Sequence, residues 1–172
     1  MLTIGVDTYV SVEEADLYVA RNYLSTEAFF ITWNDLEPMQ KEVFLRRSAR
    51  EMNSLAYTGR KCVPEQALAF PRFLQTSRPM CQAAEVPEDI KIAQIENALS
   101  IADPSVAEDA AFYQKMRTFG IASYSVGHMS ETLVQWNGGG NSSLDKSRTG
   151  SLTSTVASLL IQPYLVSGVD IR

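Results

Sequence analysis

Few side chains in this sequence have the types and spacing that chemistry needs. His128 is the single histidine, so a Ser/His or Cys/His nucleophilic mechanism would have to run through it, yet Gly127-His128-Met129-Ser130 reads as a turn. Cys62 and Cys81 form no CxxC pair and have only that histidine to join them, which leaves a structural zinc site short of ligands. Both are expected as reduced, packed thiols. Gly138-Gly139-Gly140 has neither the strand-loop-helix frame nor the following Gly-Lys-Ser/Thr of a phosphate loop. The carboxylates cluster at expected helix starts, where they complement the helix dipole. The expectation is a protein that is not an enzyme, with no metal and no cofactor, whose work is interaction.

The charges are unevenly spread over the 172 residues. Net charge is −5, but residues 1–40 carry 7 acids and 1 base (−6), residues 41–78 carry 3 acids and 8 bases (+5), and residues 79–172 carry 10 acids and 6 bases (−4). A basic middle inside an acidic protein can meet a phosphate backbone or an acidic protein surface. Arg46, Arg47, Arg50, Arg60 and Lys61, with Phe29, Phe30 or Trp33 for stacking, have the composition of a single-strand site. The same cations also suit a solvated helix face, with Glu42 and Arg46, and Arg47 and Glu51, at i,i+4 spacing. The same aromatics suit a core.

The elements that must position these groups read as mainly α: a small helical bundle with one β-hairpin and a flexibly linked C-terminal helix and tail. An apolar fraction of 45% and a charged fraction of 20% match soluble globular chains, and no apolar run approaches the roughly 20 residues that cross a bilayer, so no membrane partner is expected. The N-terminus shows no cationic segment ahead of an apolar one, which implies synthesis in the cytoplasm. Ser11-Val12-Glu13-Glu14 is a capping box opening a helix over about residues 12–23, with Val12, Ala15, Val19 and Tyr23 on one face. Thr26 to Trp33 reads as a short aromatic turn of helix. Pro38 opens a helix to about Ala56 with Leu45, Ala49, Met52 and Ala56 as its apolar stripe. Ile90 to Ala102 is apolar on more than one face, the mark of a central, buried helix, and Asp103-Pro104 starts a further helical stretch to about Arg117.

From about residue 119 to 136 the period changes to two, predicting a hairpin that turns at Gly127 to Ser130. Residues 138–150 have the composition of a flexible linker, which divides the chain into a core (1–137), that linker, and a terminal helix and tail (151–172). Between the second and third long helices lies Gly59 to Arg72, a cation-rich connector with a short apolar plug. Leu68 and Phe70 are expected to anchor it in the core, with Arg60 and Arg72 left at the surface.

Several stretches resemble one known group. Tyr9 to Tyr18, Leu45 to Arg50, Gly59-Arg60, Gln66-Ala67-Leu68-Ala69-Phe70-Pro71-Arg72, and Val86-Pro87 leading into the Ala93 to Ala98 helix look like the small phage proteins labelled DnaT-like single-stranded-DNA-binding. Phe70 stands where that pattern more usually has tryptophan. The group is similar in turn to the head-tail adaptor, or connector, proteins of long-tailed phages. The resemblance implies a structural neck protein of the virion: a ring homo-oligomer, dodecameric on the portal, that extends the DNA channel and connects head to tail. DNA would be only a non-specific passenger, and the partners would be further copies of the chain, the portal protein and the next neck or tail protein. Mapped onto this sequence, the portal-binding candidates are Leu152, Val156, Leu159, Leu160, Tyr164, Leu165 and Arg172, and the subunit-interface candidates are Arg46, Arg50, Arg60 and Arg72. The alternative is a single-stranded-DNA-binding module of phage replication, built on the cations and aromatics above.

Overall fold

The helix that sequence periodicity marks as buried is the axis of the protein. A computed structural model describes residues 2–73, 85–106, 123–126, 129–132 and 152–166, together with the single positions 108, 112, 115 and 119. In chain order the elements are α1 (Val12–Asn22), α2 (Ala28–Asp35), α3 (Pro38–Asn53), β1 (Arg60–Lys61), β2 (Arg72–Phe73), α4 (Glu88–Ala102), β3 (Ser123–Val126), β4 (Met129–Thr132) and α5 (Thr155–Ile161), the last running into a 3-10 turn, Gln162–Tyr164. The fold is mainly helical, as the patterning predicts.

α4 packs against α3, α2 and α5. Ile90, Ala93, Ile95, Ala98 and Leu99 are all buried, and each isoleucine or leucine removed from water stabilises by about 1.5–3 kcal/mol. The helix also buries Gln94, Glu96, Asn97 and Ser100. A polar group taken out of water must find a partner or cost free energy, and the three longest of these do find them. Gln94 accepts from the Tyr9 amide (2.8 Å) and donates to Thr8 Oγ1 (2.7 Å) and the Leu45 carbonyl (2.9 Å). Asn97 donates to Glu51 Oε2 (2.9 Å) and accepts from the Ser154 amide (3.1 Å). Glu96 accepts from the hydroxyls of Tyr18 (2.7 Å) and Tyr23 (2.9 and 2.8 Å). These bonds tie α4 to the N-terminal segment, α1, α3 and the C-terminal segment, so one helix sets the position of four other parts of the chain.

The helix ends follow local chemistry. Both arms of the Ser11/Glu14 capping box form, at 3.1 and 2.8 Å. α3 begins with Pro38 in its first turn and Glu37 as its cap. It ends at Asn53, three residues before the expected Ala56, because the Ser54 hydroxyl bonds back to the Glu51 carbonyl (2.6 Å) and terminates the ladder. Ala56 is exposed beyond the helix. Asp103 accepts from the amide and hydroxyl of Ser105 (2.9 and 2.7 Å), and positions 104–106, 108, 112 and 115 are helical, so the further stretch begins where the sequence places it.

The hairpin pairs β3 antiparallel to β4 with Val126 opposite Met129, so Met129 and Ser130, expected in the turn, belong to the strand. A second, two-residue ladder, β1 with β2, closes the neck of the connector, pairing Arg60 with Phe73 and Lys61 with Arg72. Cys81, His128, the 138–150 linker and Arg172 lie outside the described residues. Cys62 is disulfide-bonded, which corrects the expectation of a reduced thiol there; the spacing of two cysteines carries no record of which loops the fold brings together. Among the described residues no helix is long and apolar enough to cross a membrane, and no group of three or more His, Cys, Asp or Glu could hold a metal ion.

Candidate interaction surfaces

The connector turns its apolar plug and one of its cations, Arg72, inward together. Gly59 enters it at φ +72, a left-handed backbone that glycine adopts without a Cβ clash. Leu68, Ala69 and Phe70 are buried. The Phe70 ring meets Tyr57, Tyr164 and Tyr9 edge-on, with centroids 5.0, 5.5 and 6.4 Å away. Such T-shaped pairs add about 0.5–1.5 kcal/mol each beyond burial. The loop is laced from within: the Gln66 side-chain amide donates to the Leu68 and Pro71 carbonyls (2.8 and 3.0 Å), and Lys61 Nζ donates to the Gln66 carbonyl (2.9 Å). Asn53 accepts from the Ala69 amide at 2.6 Å and so fastens the plug to the end of α3.

Arg72 is the largest departure from the sequence-based expectation. Only 9% of it is exposed, and its guanidinium donates to the carbonyls of Thr58 (2.9 Å), Gly59 (2.9 Å), Tyr57 (3.3 Å) and Ala69 (3.3 Å) while lying 5.7 Å from the Tyr57 ring. Its place at the surface as a subunit contact is therefore corrected. Four main-chain acceptors left by an irregular loop need a donor, and a planar fork with five N–H groups serves them all. Burial also shapes the titration of this cluster, pushing the Tyr9 phenol up to about 12 and raising Tyr57 as well. Among the described residues the Tyr57 hydroxyl is the one buried side-chain oxygen or nitrogen without a hydrogen-bond partner.

The remaining interface candidates stay outside. Arg50 is exposed, and Arg60 is exposed with its guanidinium 5.3 Å from the Phe73 ring. Arg46 is half-buried and bonded to Glu42 at 3.2 Å, one of the two expected helix pairs. The other partner, Glu51, turns instead to Asn97 and Thr153, and Arg47 lies over the Phe44 ring at 5.9 Å.

Of the three aromatics offered for base stacking, one is enclosed and two are half-buried. Trp33 is fully buried, its indole N–H donating to Asp16 Oδ1 (2.7 Å), while Lys41 Nζ meets the same oxygen at 2.9 Å and sits 5.5 Å from the Trp33 ring. Phe29 stands edge-on to Tyr23 at 5.9 Å, and both Phe29 and Phe30 are half-buried against the core.

The C-terminal segment is divided between core and surface. Leu152, Ala157 and Ile161 are buried against the bundle, and Ser154 caps α5 by accepting from the Ala157 amide (3.2 Å). Leu160, Tyr164 and Leu165 are half-buried. Tyr164 donates to Asp89 Oδ2 (3.2 Å), its carbonyl accepts from the Thr58 amide (2.8 Å), and Leu165 bridges to Tyr57. The segment thus closes over the connector of its own chain. Of the portal-binding candidates, Val156 (51% exposed) and Leu159 (64%) are the ones that face fully outward. One turn apart on the same helix, they leave an apolar strip in water.

Sequence reasoning missed the polar set on α4. Four polar residues, Gln94, Glu96, Asn97 and Ser100, interrupt a helix otherwise apolar on several faces, and that interruption was the available signal.

The described residues form a helical bundle that leaves apolar side chains such as Val156 and Leu159 in water. The chain belongs to the family described as "Putative DnaT-like ssDNA binding protein", whose model matches residues 2–169. No curated protein and no solved structure matches it.

Proposed function

We propose that the protein is a structural adaptor of a phage virion neck, made in the host cytoplasm, which assembles as a ring on the portal, extends the DNA channel and links head to tail. The observation that carries this reading is the disposition of its large side chains. Most of the aromatic groups are spent on the fold, while Leu17, Met39, Val43, Val156 and Leu159 are presented to water on three helices. Side chains of that kind on regular helix faces are what protein partners cover. The resemblance to head-tail adaptors and the absence of any catalytic constellation among the described residues support it. The Cys62 disulfide suits a protein that leaves the reducing interior of the cell.

Val156 and Leu159 are the proposed contacts with the portal. Removing the whole C-terminal segment would also remove Leu152, Ala157 and Ile161 from the core, so point changes are the cleaner probe. Electron microscopy of the purified protein mixed with its portal should show a ring on the portal, lost in the Val156→Asp, Leu159→Asp variant while its circular dichroism is unchanged. A portal left bare by the unaltered protein would end this reading.

The family description favours a second reading, single-stranded-DNA binding through Arg47, Arg50 and Arg60. It requires log affinity to fall with log salt at a slope of about −0.7 per phosphate contact, and no binding at about 50 mM salt would reject it.

A further inference from the structure

We infer that copies of the chain join head to tail by laying the outer face of α1 antiparallel along the outer face of α3 of the next copy. The inference deepens the ring reading and rests on it only for closure of the chain of contacts into a circle. Both helices bury one side and present the other. On α1 the outward stripe runs from Glu13 to Leu17, which is 50% exposed. On α3 it runs from Met39 (75% exposed) through Val43 (45%) to the exposed Arg47 and Arg50. Acid precedes apolar on α1, and apolar precedes base on α3. Antiparallel docking therefore sets Leu17 against Val43 and Glu13 against Arg47.

The spacing agrees: Glu13 to Leu17 and Val43 to Arg47 are both four residues, about 6 Å along each axis at 1.5 Å per residue. Helix dipoles account for an acid at the start of α1 and bases toward the end of α3, but not for large apolar side chains beside them in water. A second copy is the occupant that charge favours. Glu13 and Glu14 are exposed at the start of α1, and Arg47 and Arg50 are exposed on α3, so every copy brings both halves of the contact. The two stripes lie on different helices, so the contact can repeat from copy to copy as a heterologous interface, the type that forms rings when its rotation closes, whereas a two-fold dimer would make it twice and stop at two copies.

The test uses the full chain, with association followed by light scattering and analytical ultracentrifugation. Glu13→Arg and Arg47→Glu should each weaken self-association by about tenfold or more, and the chain carrying both changes should recover it, because the pair is restored with reversed sign. All three variants should keep the parent's circular dichroism, since the altered side chains are exposed. A second arm places cysteines at Leu17 and Val43: oxidation at high protein concentration should give a ladder of covalent multimers from the doubly substituted chain and none from either single variant. Association indifferent to both reversals, no ladder, or a product that stops at dimer each overturns the proposed contact. A ladder from a chain without affinity for a portal would sink the neck reading and leave this contact standing, whereas a portal-bound ring that survives both reversals would do the opposite.

Discussion

The connector and the outer face of α3 are both basic in sequence, and the fold uses their cations in opposite ways. Arg72 is buried by four carbonyls, whereas Arg50 stands in water in the last turn of α3. The local backbone decides the difference. The regular ladder of α3 binds most of its own carbonyls, so Arg47 and Arg50 are left exposed on its outer face. The connector has only a two-residue ladder to bind its carbonyls, and a buried loop must satisfy the rest by other means. Charge counted along the sequence therefore does not show whether a cation is structural or available. The hydrogen-bonding needs of the surrounding backbone do.

The sharpest way to break the comparison is at the plug. Phe70 is 2% exposed and makes ring contacts with three tyrosines from three parts of the chain. Phe70→Ala should destabilise by about 3–5 kcal/mol, measured by urea denaturation, and should loosen the C-terminal segment through the lost Tyr164 contact. A cost below about 1 kcal/mol, on the scale of a surface substitution, would mean that the connector is held by its hydrogen bonds and not by its apolar anchor.

That anchor was legible in the sequence, and Arg72 two residues later was not. Leu68 and Phe70 are apolar residues flanked by prolines and cations, a pattern with few places to go but inward. The ends of α1 and the burial of α4 were equally plain, because capping boxes and all-round apolarity act within one element. What the sequence concealed were interactions between residues far apart in it, such as Gln94 with Tyr9 and Asn97 with Ser154. Each depends on which backbone groups the fold leaves unpaired, and no local pattern records that. The surface was half legible for the same reason: the sequence set Val156 and Leu159 beside Leu152 as candidates for one partner but could not show that Leu152 faces the core.

The next prediction compares the two arginines directly. Arg72→Ala should cost about 2–4 kcal/mol, because several carbonyls lose their donor in a place water reaches poorly. Arg50→Ala should change stability by no more than about 0.5 kcal/mol and act, if at all, on association. Arg72→Lys should recover only part of the loss, since an ammonium cannot span the arc of acceptors that the guanidinium fork covers. Equal costs for the two alanine variants, in the same denaturation assay, would erase the distinction between a structural and an available cation.

Alkaline titration gives the gentlest test, because it acts on the connector without changing a residue. Burial holds the Tyr9 phenol protonated up to about 12, against about 10 for the unfolded chain, and raises Tyr57 in the same direction. The unfolded state then loses its proton first as pH climbs, so the stability these groups contribute is complete below pH 10 and drains away between about 10 and 12. For Tyr9 the slope is at most about 1.4 kcal/mol per pH unit. Denaturation midpoints measured across that range should fall, and Tyr9→Phe should flatten the fall while giving up its hydrogen bond from the Phe70 amide. α3 carries no tyrosine, so association through its outer face should outlast the first loosening of the connector. If the two were lost together at the same pH, the connector and the α3 face would have to be one cooperative unit, and the contrast between them would hold for hydrogen bonding but not for stability.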